Sequence, residues 1–123
     1  MNGFDDLERK LDQLLKEPNN SQLFNDIGVL LCQVKDLENA EIYLQKAYEL
    51  NPSSKDILYN YATLLYLKLK WWEAISIYQA YSELDPNDTE VIEKIGDSYY
   101  QLCEYELAAK IYEKLKKLRK ESS

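Results

Sequence analysis

Leu58-Tyr59-Asn60-Tyr61-Ala62, then Trp71-Trp72-Glu73-Ala74-Ile75, then Asp85-Pro86-Asn87, make up one unit of a pattern that returns every 34 residues. The only prolines, Pro18, Pro52 and Pro86, keep that interval. Small residues keep it at Gly28, Ala62 and Gly96, alanines at Ala40, Ala74 and Ala108, and large residues at Leu44, Tyr78 and Tyr112. Four columns in one register mark an internal repeat, and a period of this size means stacked supersecondary units.

Within a period the apolar residues fall at helical spacing. Phe24, Ile27, Gly28 and Leu31 share one helical face. After a turn near Lys35-Asp36, Leu37, Ala40, Leu44 and Ala47 form a second stripe. Pro52 stops that helix, because it donates no backbone hydrogen bond and pushes the preceding residue out of helical geometry. A polar pair follows each proline and can cap the next helix: Asn19-Asn20, Ser53-Ser54 and Asn87-Asp88. Gly28 with Ala40, Ala62 with Ala74, and Gly96 with Ala108 are small enough for two helix backbones to approach. Leu37, Trp71 and Tyr105 are expected to fill the space beside each crossing.

These residues resemble the tetratricopeptide repeat family over residues 21–120. The resemblance implies an all-α fold: a right-handed superhelical stack of three helical hairpins at 21–54, 55–88 and 89–120, with a tail at 121–123. Residues 1–20 are expected to form an N-terminal capping helix, its stripe running through Phe4, Leu7, Leu11 and Leu14, since repeat stacks need atypical ends. Leu7 and Leu14 stand where alanines would be, so this helix should pack less tightly. Lys35, Leu69 and Cys103 occupy the turn position where the family often has glycine. The last helix is basic, with Lys110, Lys114, Lys116, Lys117, Arg119 and Lys120. Lysines there solubilise an end and complement a helix C-terminus, or offer a patch to an acidic partner or a second copy.

Composition narrows the function. The chain has 123 residues and a net charge of −7, with no histidine. That removes the commonest general base and neutral metal ligand. There is no glycine-rich phosphate loop and no nucleophilic or zinc spacing. The expectation is a non-enzymatic protein with no cofactor and no metal. The acid excess lies before residue 105, so most of the chain should repel nucleic acid. No membrane span or signal-peptide order is present. Cys32 and Cys103 follow no redox or metal spacing, which suits a cytoplasmic protein.

The family resemblance also implies a concave groove. Its lining would be Gln22, Asn25, Asp26, Val29 and Cys32 from the first unit. The second adds Asp56, Tyr59, Asn60, Thr63 and Tyr66, and the third Glu90, Glu93, Lys94, Asp97 and Tyr100. The family's clamp for chaperone-tail carboxylates is matched at Asn60 and, with lysine for arginine, at Lys94. It is not matched at Asn25, Val29 or Glu90, and Glu90 would repel an acidic tail. With Asp26, Asp56, Glu90, Glu93 and Asp97 opposing only Lys94, the groove carries about −4. Beside Tyr59, Tyr66 and Tyr100, that charge suits a peptide or helix with basic and apolar side chains. The alternatives are self-assembly through the C-terminal hairpin and service as an accessory domain of a larger enzyme. Trp72 falls where the sibling units have Glu38 and Glu106, so it should be exposed and available for contact.

Overall fold

The computed structural model describes residues 3–122 and contains seven α-helices and no strand among them. They are α1 (Gly3–Lys16), α2 (Ser21–Gln33), α3 (Leu37–Leu50), α4 (Lys55–Leu67), α5 (Trp71–Leu84), α6 (Thr89–Gln101) and α7 (Tyr105–Glu121). Ser21, Lys55 and Thr89 open one set of helices, and Leu37, Trp71 and Tyr105 the other, at the sequence interval.

The polar pairs cap as expected, through their second members. Asn20 Oδ1 accepts from the Leu23 amide at 3.2 Å, Ser54 Oγ from Ile57 at 3.3 Å, and Asp88 Oδ1 from Val91 at 3.3 Å. Each bond satisfies an amide that the first helical turn leaves free. Asp88 does more, because its Oδ2 accepts from the buried Tyr81 hydroxyl at 2.6 Å. The α3 and α5 ends close with Asn51 and Asp85 amides on Ala47 and Tyr81 carbonyls, directly before Pro52 and Pro86.

The hairpin turns close without glycine. Lys35, Leu69 and Cys103 all have left-handed backbones, at φ 67°, 61° and 61°. The amides that follow them, of Asp36, Lys70 and Glu104, donate at 2.9 Å to Leu31, Leu65 and Tyr99. Their own amides donate at 3.0 Å to Cys32, Tyr66 and Tyr100. This is the paired helix-closing pattern that a left-handed residue makes possible.

The chain forms two compact units, dividing between Leu64 and Leu65, inside α4. The first has Ile27, Leu31, Ala40, Leu44 and Leu64 at its core. α1 packs against α2 and presents Leu7, Leu11 and Leu14 to that core. Phe4 departs from expectation: it is 65% exposed, lying a full turn short of the cluster that Leu7 reaches. A hollow of about 250 Å³ remains among Leu7, Leu11, Ile27, Leu31, Asn39 and Tyr43, in keeping with loose packing of this helix. In the second unit α6 packs against α5 and α7, with Tyr78, Val91, Ile92, Ile95 and Ala108 buried.

At Gly28 and Gly96 the space beside the helix is taken by a large side chain of the facing helix. A Cβ at Gly28 would lie 2.5 Å from Leu44 Cγ, and one at Gly96 would lie 2.7 Å from Tyr112 Cε1. The small residue clears room for the large residue of the facing helix. Tyr105 is a second correction. It is 56% exposed and stands edge-on to Tyr100 at 5.3 Å, so it caps the turn from outside and does not fill a crossing.

Candidate functional site

In the first unit, Asn25, Asp26, Val29, Asp56 and Asn60 gather with Lys10, Gln22 and Leu30 around an open hollow of about 380 Å³. Helical spacing puts Gln22, Asn25, Asp26 and Val29 on one side of α2, and Asp56 and Asn60 come from α4. Asn25 is only 3% exposed, and its Oδ1 accepts from Asn60 Nδ2 at 3.0 Å. It is therefore a support under the hollow and not the open contact expected of it, because a buried amide must be hydrogen-bonded. Asp26 accepts from Gln22 Nε2 at 2.9 Å and lies 3.5 Å from Lys10 Nζ. Tyr59 and Thr63 are half-buried on α4, and Cys32 is half-buried with its thiol pushed above its ordinary pKa by burial.

The second unit gathers a different set. Lys94 Nζ sits 4.5 Å from the Tyr66 ring centroid, a cation–π contact. Tyr66 stands edge-on to Trp71 at 5.2 Å, and burial, followed by Asp97 and Glu93, pushes its hydroxyl above the usual tyrosine range. Asp97 accepts from Tyr112 Oη at 2.6 Å, and Glu93 pairs with Arg119 at 2.7 Å. Burial and then the Asp97 hydrogen bond hold Tyr112 protonated far above its usual range. Glu93, Asp97, Tyr112, Leu115, Lys116 and Arg119 surround an open hollow of about 420 Å³. Glu90 and Tyr100 are exposed on α6 but line neither hollow.

The expected charge balance needs correcting. Lys94 is the one cation among the candidate residues, but Lys10 meets Asp26 and Arg119 meets Glu93, so two further cations offset the carboxylates there. Both cations come from outside the helices expected to line a groove: Lys10 from α1, Arg119 from α7. The 34-residue interval offers a signal for part of what was missed, because Tyr112 belongs to the Leu44 column that faces the small-residue column. Nothing in the repeat flags Lys10, because α1 is out of register with it.

Trp72 is 54% exposed, as expected, and stands edge-on to Tyr99 at 6.1 Å. Trp72→Glu should cost about 1 kcal/mol or less, the size of one aromatic edge contact. Urea unfolding measures it, and a loss above about 2 kcal/mol would place Trp72 in the core.

No helix among the described residues is long and apolar enough to cross a membrane, and no described group of three or more His, Cys, Asp or Glu could hold a metal ion. Successive helical hairpins at a fixed interval define a helical-repeat protein. The chain is similar to solved structures of MamA. It matches MamA MSR-1 at TM-score 0.85 and 24% identity, over 98% of this chain and 70% of that one. MamA AMB-1 matches at 0.86 and 26%, over 95% and 64%. A MamA RS-1 double mutant matches at 0.88 and 18%, over 94% and 65%. This chain thus spans roughly two thirds of the length of those proteins. No protein-family model matches it, and no curated protein does.

Proposed function

We propose that the chain is a non-enzymatic, tetratricopeptide-type interaction module that holds a peptide segment bearing basic and apolar side chains. The observation that carries this reading is the Asn25–Asn60 pair under the first-unit hollow. Asn60 spends one amide hydrogen on Asn25, which fixes its side chain and leaves its carbonyl oxygen to accept from a peptide backbone. Asp56 is exposed at the rim and Asp26 lies beside it, so a lysine or arginine of the peptide meets carboxylates there. The Lys10 contact with Asp26 is long and partly open to solvent, and such a pair gives way to a bound cation at little cost. In the second unit, taken by itself, the exposed Tyr100 offers a flat ring to an apolar or cationic side chain. Domain boundaries at 20/21, 54/55 and 88/89 belong to the same reading and are supported by the helix starts at Ser21, Lys55 and Thr89.

The test is a fluorescence-anisotropy screen of dodecapeptides that vary in Lys, Arg and Leu content. Basic-apolar peptides should bind, and affinity should fall as salt rises through the range where surface charges are screened. Asn60→Ala and Asp56→Lys should each weaken binding about tenfold, a loss of roughly 1.4 kcal/mol. Binding indifferent to salt and to both substitutions would sink the reading.

A further inference from the structure

The turn between α4 and α5 differs from its two siblings at the positions that meet solvent. Leu67 stands where they have Gln33 and Gln101, and Trp72 where they have Glu38 and Glu106. Lys70 stands where they have Asp36 and Glu104. Leu67, Leu69 and Trp72 are each more than half exposed. These choices do not serve the fold. Leu69 holds its Cβ at a φ of 61°, and its side chain gains little burial in return. Asp36 caps α3 by accepting from the Asn39 amide at 3.3 Å, whereas Lys70 gives α5 no side-chain cap. A cation there also opposes the positive end of the helix. In a chain with 22 acids, residues 57–72 are the longest run that has none. The turn is thus apolar and basic where its siblings carry glutamine and acids.

We propose that this turn is a contact for an anionic membrane surface: Leu67, Leu69 and Trp72 enter the boundary of the acyl chains, and Lys68 and Lys70 stay with the lipid phosphates. Apolar and cationic side chains alternate along the turn. A lysine can lay its stem beside an inserted neighbour and keep its ammonium among the headgroups. Tryptophan favours the same layer, with its ring in the apolar part and its indole N–H near water. The leucines supply area removed from water, and each cation at the surface adds attraction to anionic lipid. Rings of the same unit hold the turn in place, since Trp71 stands edge-on to Tyr66 and Trp72 edge-on to Tyr99. The contact is interfacial, because no described helix is long and apolar enough to span a bilayer. A net charge of −7 opposes approach to such a surface. That repulsion is screened within about 10 Å at moderate salt, so contact through the acid-free turn is the orientation least opposed. A protein partner would have to supply an apolar recess rimmed with acids, whereas an anionic bilayer presents both without being shaped to the turn.

Trp71 and Trp72 are the only tryptophans in the chain, so its intrinsic fluorescence reports on this turn without a label. The full chain is titrated with vesicles of phosphatidylcholine alone and with phosphatidylglycerol added, each with and without brominated acyl chains. Emission should shift to the blue, and be quenched by the brominated chains, only where phosphatidylglycerol is present. Leu69→Gly relieves backbone strain and leaves the fold intact, yet it should bind about tenfold more weakly through the loss of one inserted leucine. Its counterpart in the first unit, Lys35→Gly, should bind unchanged. Lys68→Glu combined with Lys70→Glu should weaken binding by about tenfold or more. Emission that ignores all vesicles, adsorption without quenching, or equal binding by Leu69→Gly would overturn the proposal. So would a blue shift that grows with protein concentration in the absence of lipid, because the turn would then meet a second copy. Cross-linking of a photoreactive group at position 69 to a different protein, in place of lipid, would overturn it as well.

Discussion

Leu44→Ala should lower stability by about 3 kcal/mol, and adding Gly28→Ala to it should return part of that loss. Leu44 is fully buried, and it lies over Gly28 so closely that a methyl group there would overlap its Cγ. Alone, Gly28→Ala has two opposing consequences. Overpacking against Leu44 costs about 1–3 kcal/mol, while the gain in helix propensity is about 1 kcal/mol. The sum is a net loss of about 1 kcal/mol. Once Leu44 is truncated the overlap disappears and the propensity term alone remains, so the sign of Gly28→Ala reverses. Denaturant unfolding of the four species gives the coupling directly. If Gly28→Ala costs the same with and without Leu44, the column does not work by clearance.

That reversal separates two explanations of a small-residue column which the sequence presents identically. Spacing alone shows that Gly28 and Ala40 sit on facing stripes, and backbone approach is the natural inference. Side-chain direction adds what spacing does not show, since Leu44 is the residue that reaches over Gly28. The same limit explains the rest of what was and was not legible. Helix starts, prolines and caps were legible because each depends on residues within one or two turns: Asn20, Ser54 and Asp88 cap amides three residues on. Trp72 was legible as exposed by comparison with its column. Tyr105 was not, because column membership does not say whether a ring turns inward or across to Tyr100. Within the candidate site, the gathering of Asp56 and Asn60 on one side of α4 was legible from their four-residue spacing. The charge balance was not, because Lys10 and Arg119 reach their acids across 16 and 26 residues from helices outside the expected lining. A periodic pattern describes what neighbours share, and such long-range ion pairs belong to one unit alone.

The turns make the strongest case for a stabilised variant. Lys35→Gly, Leu69→Gly and Cys103→Gly should each raise stability by about 0.5–1 kcal/mol. The three together should give about 2 kcal/mol, because the sites are separate. A left-handed residue with a Cβ stores about 1–2 kcal/mol of strain, which glycine relieves while giving back part of it as greater freedom of the unfolded chain. Little packing is lost in exchange. Lys35 and Cys103 are exposed, and Leu69 is 66% exposed. The amide bonds that close each helix come from the backbone and survive the change. Valine at the same positions supplies the contrast, since a β-branched side chain at positive φ is the least tolerated case. Each glycine should move the urea midpoint upward at unchanged slope, and each valine should move it downward. A glycine series that leaves the midpoint in place or lowers it would mean that the side chains of Lys35, Leu69 and Cys103 hold their turns by contacts stronger than the strain they carry.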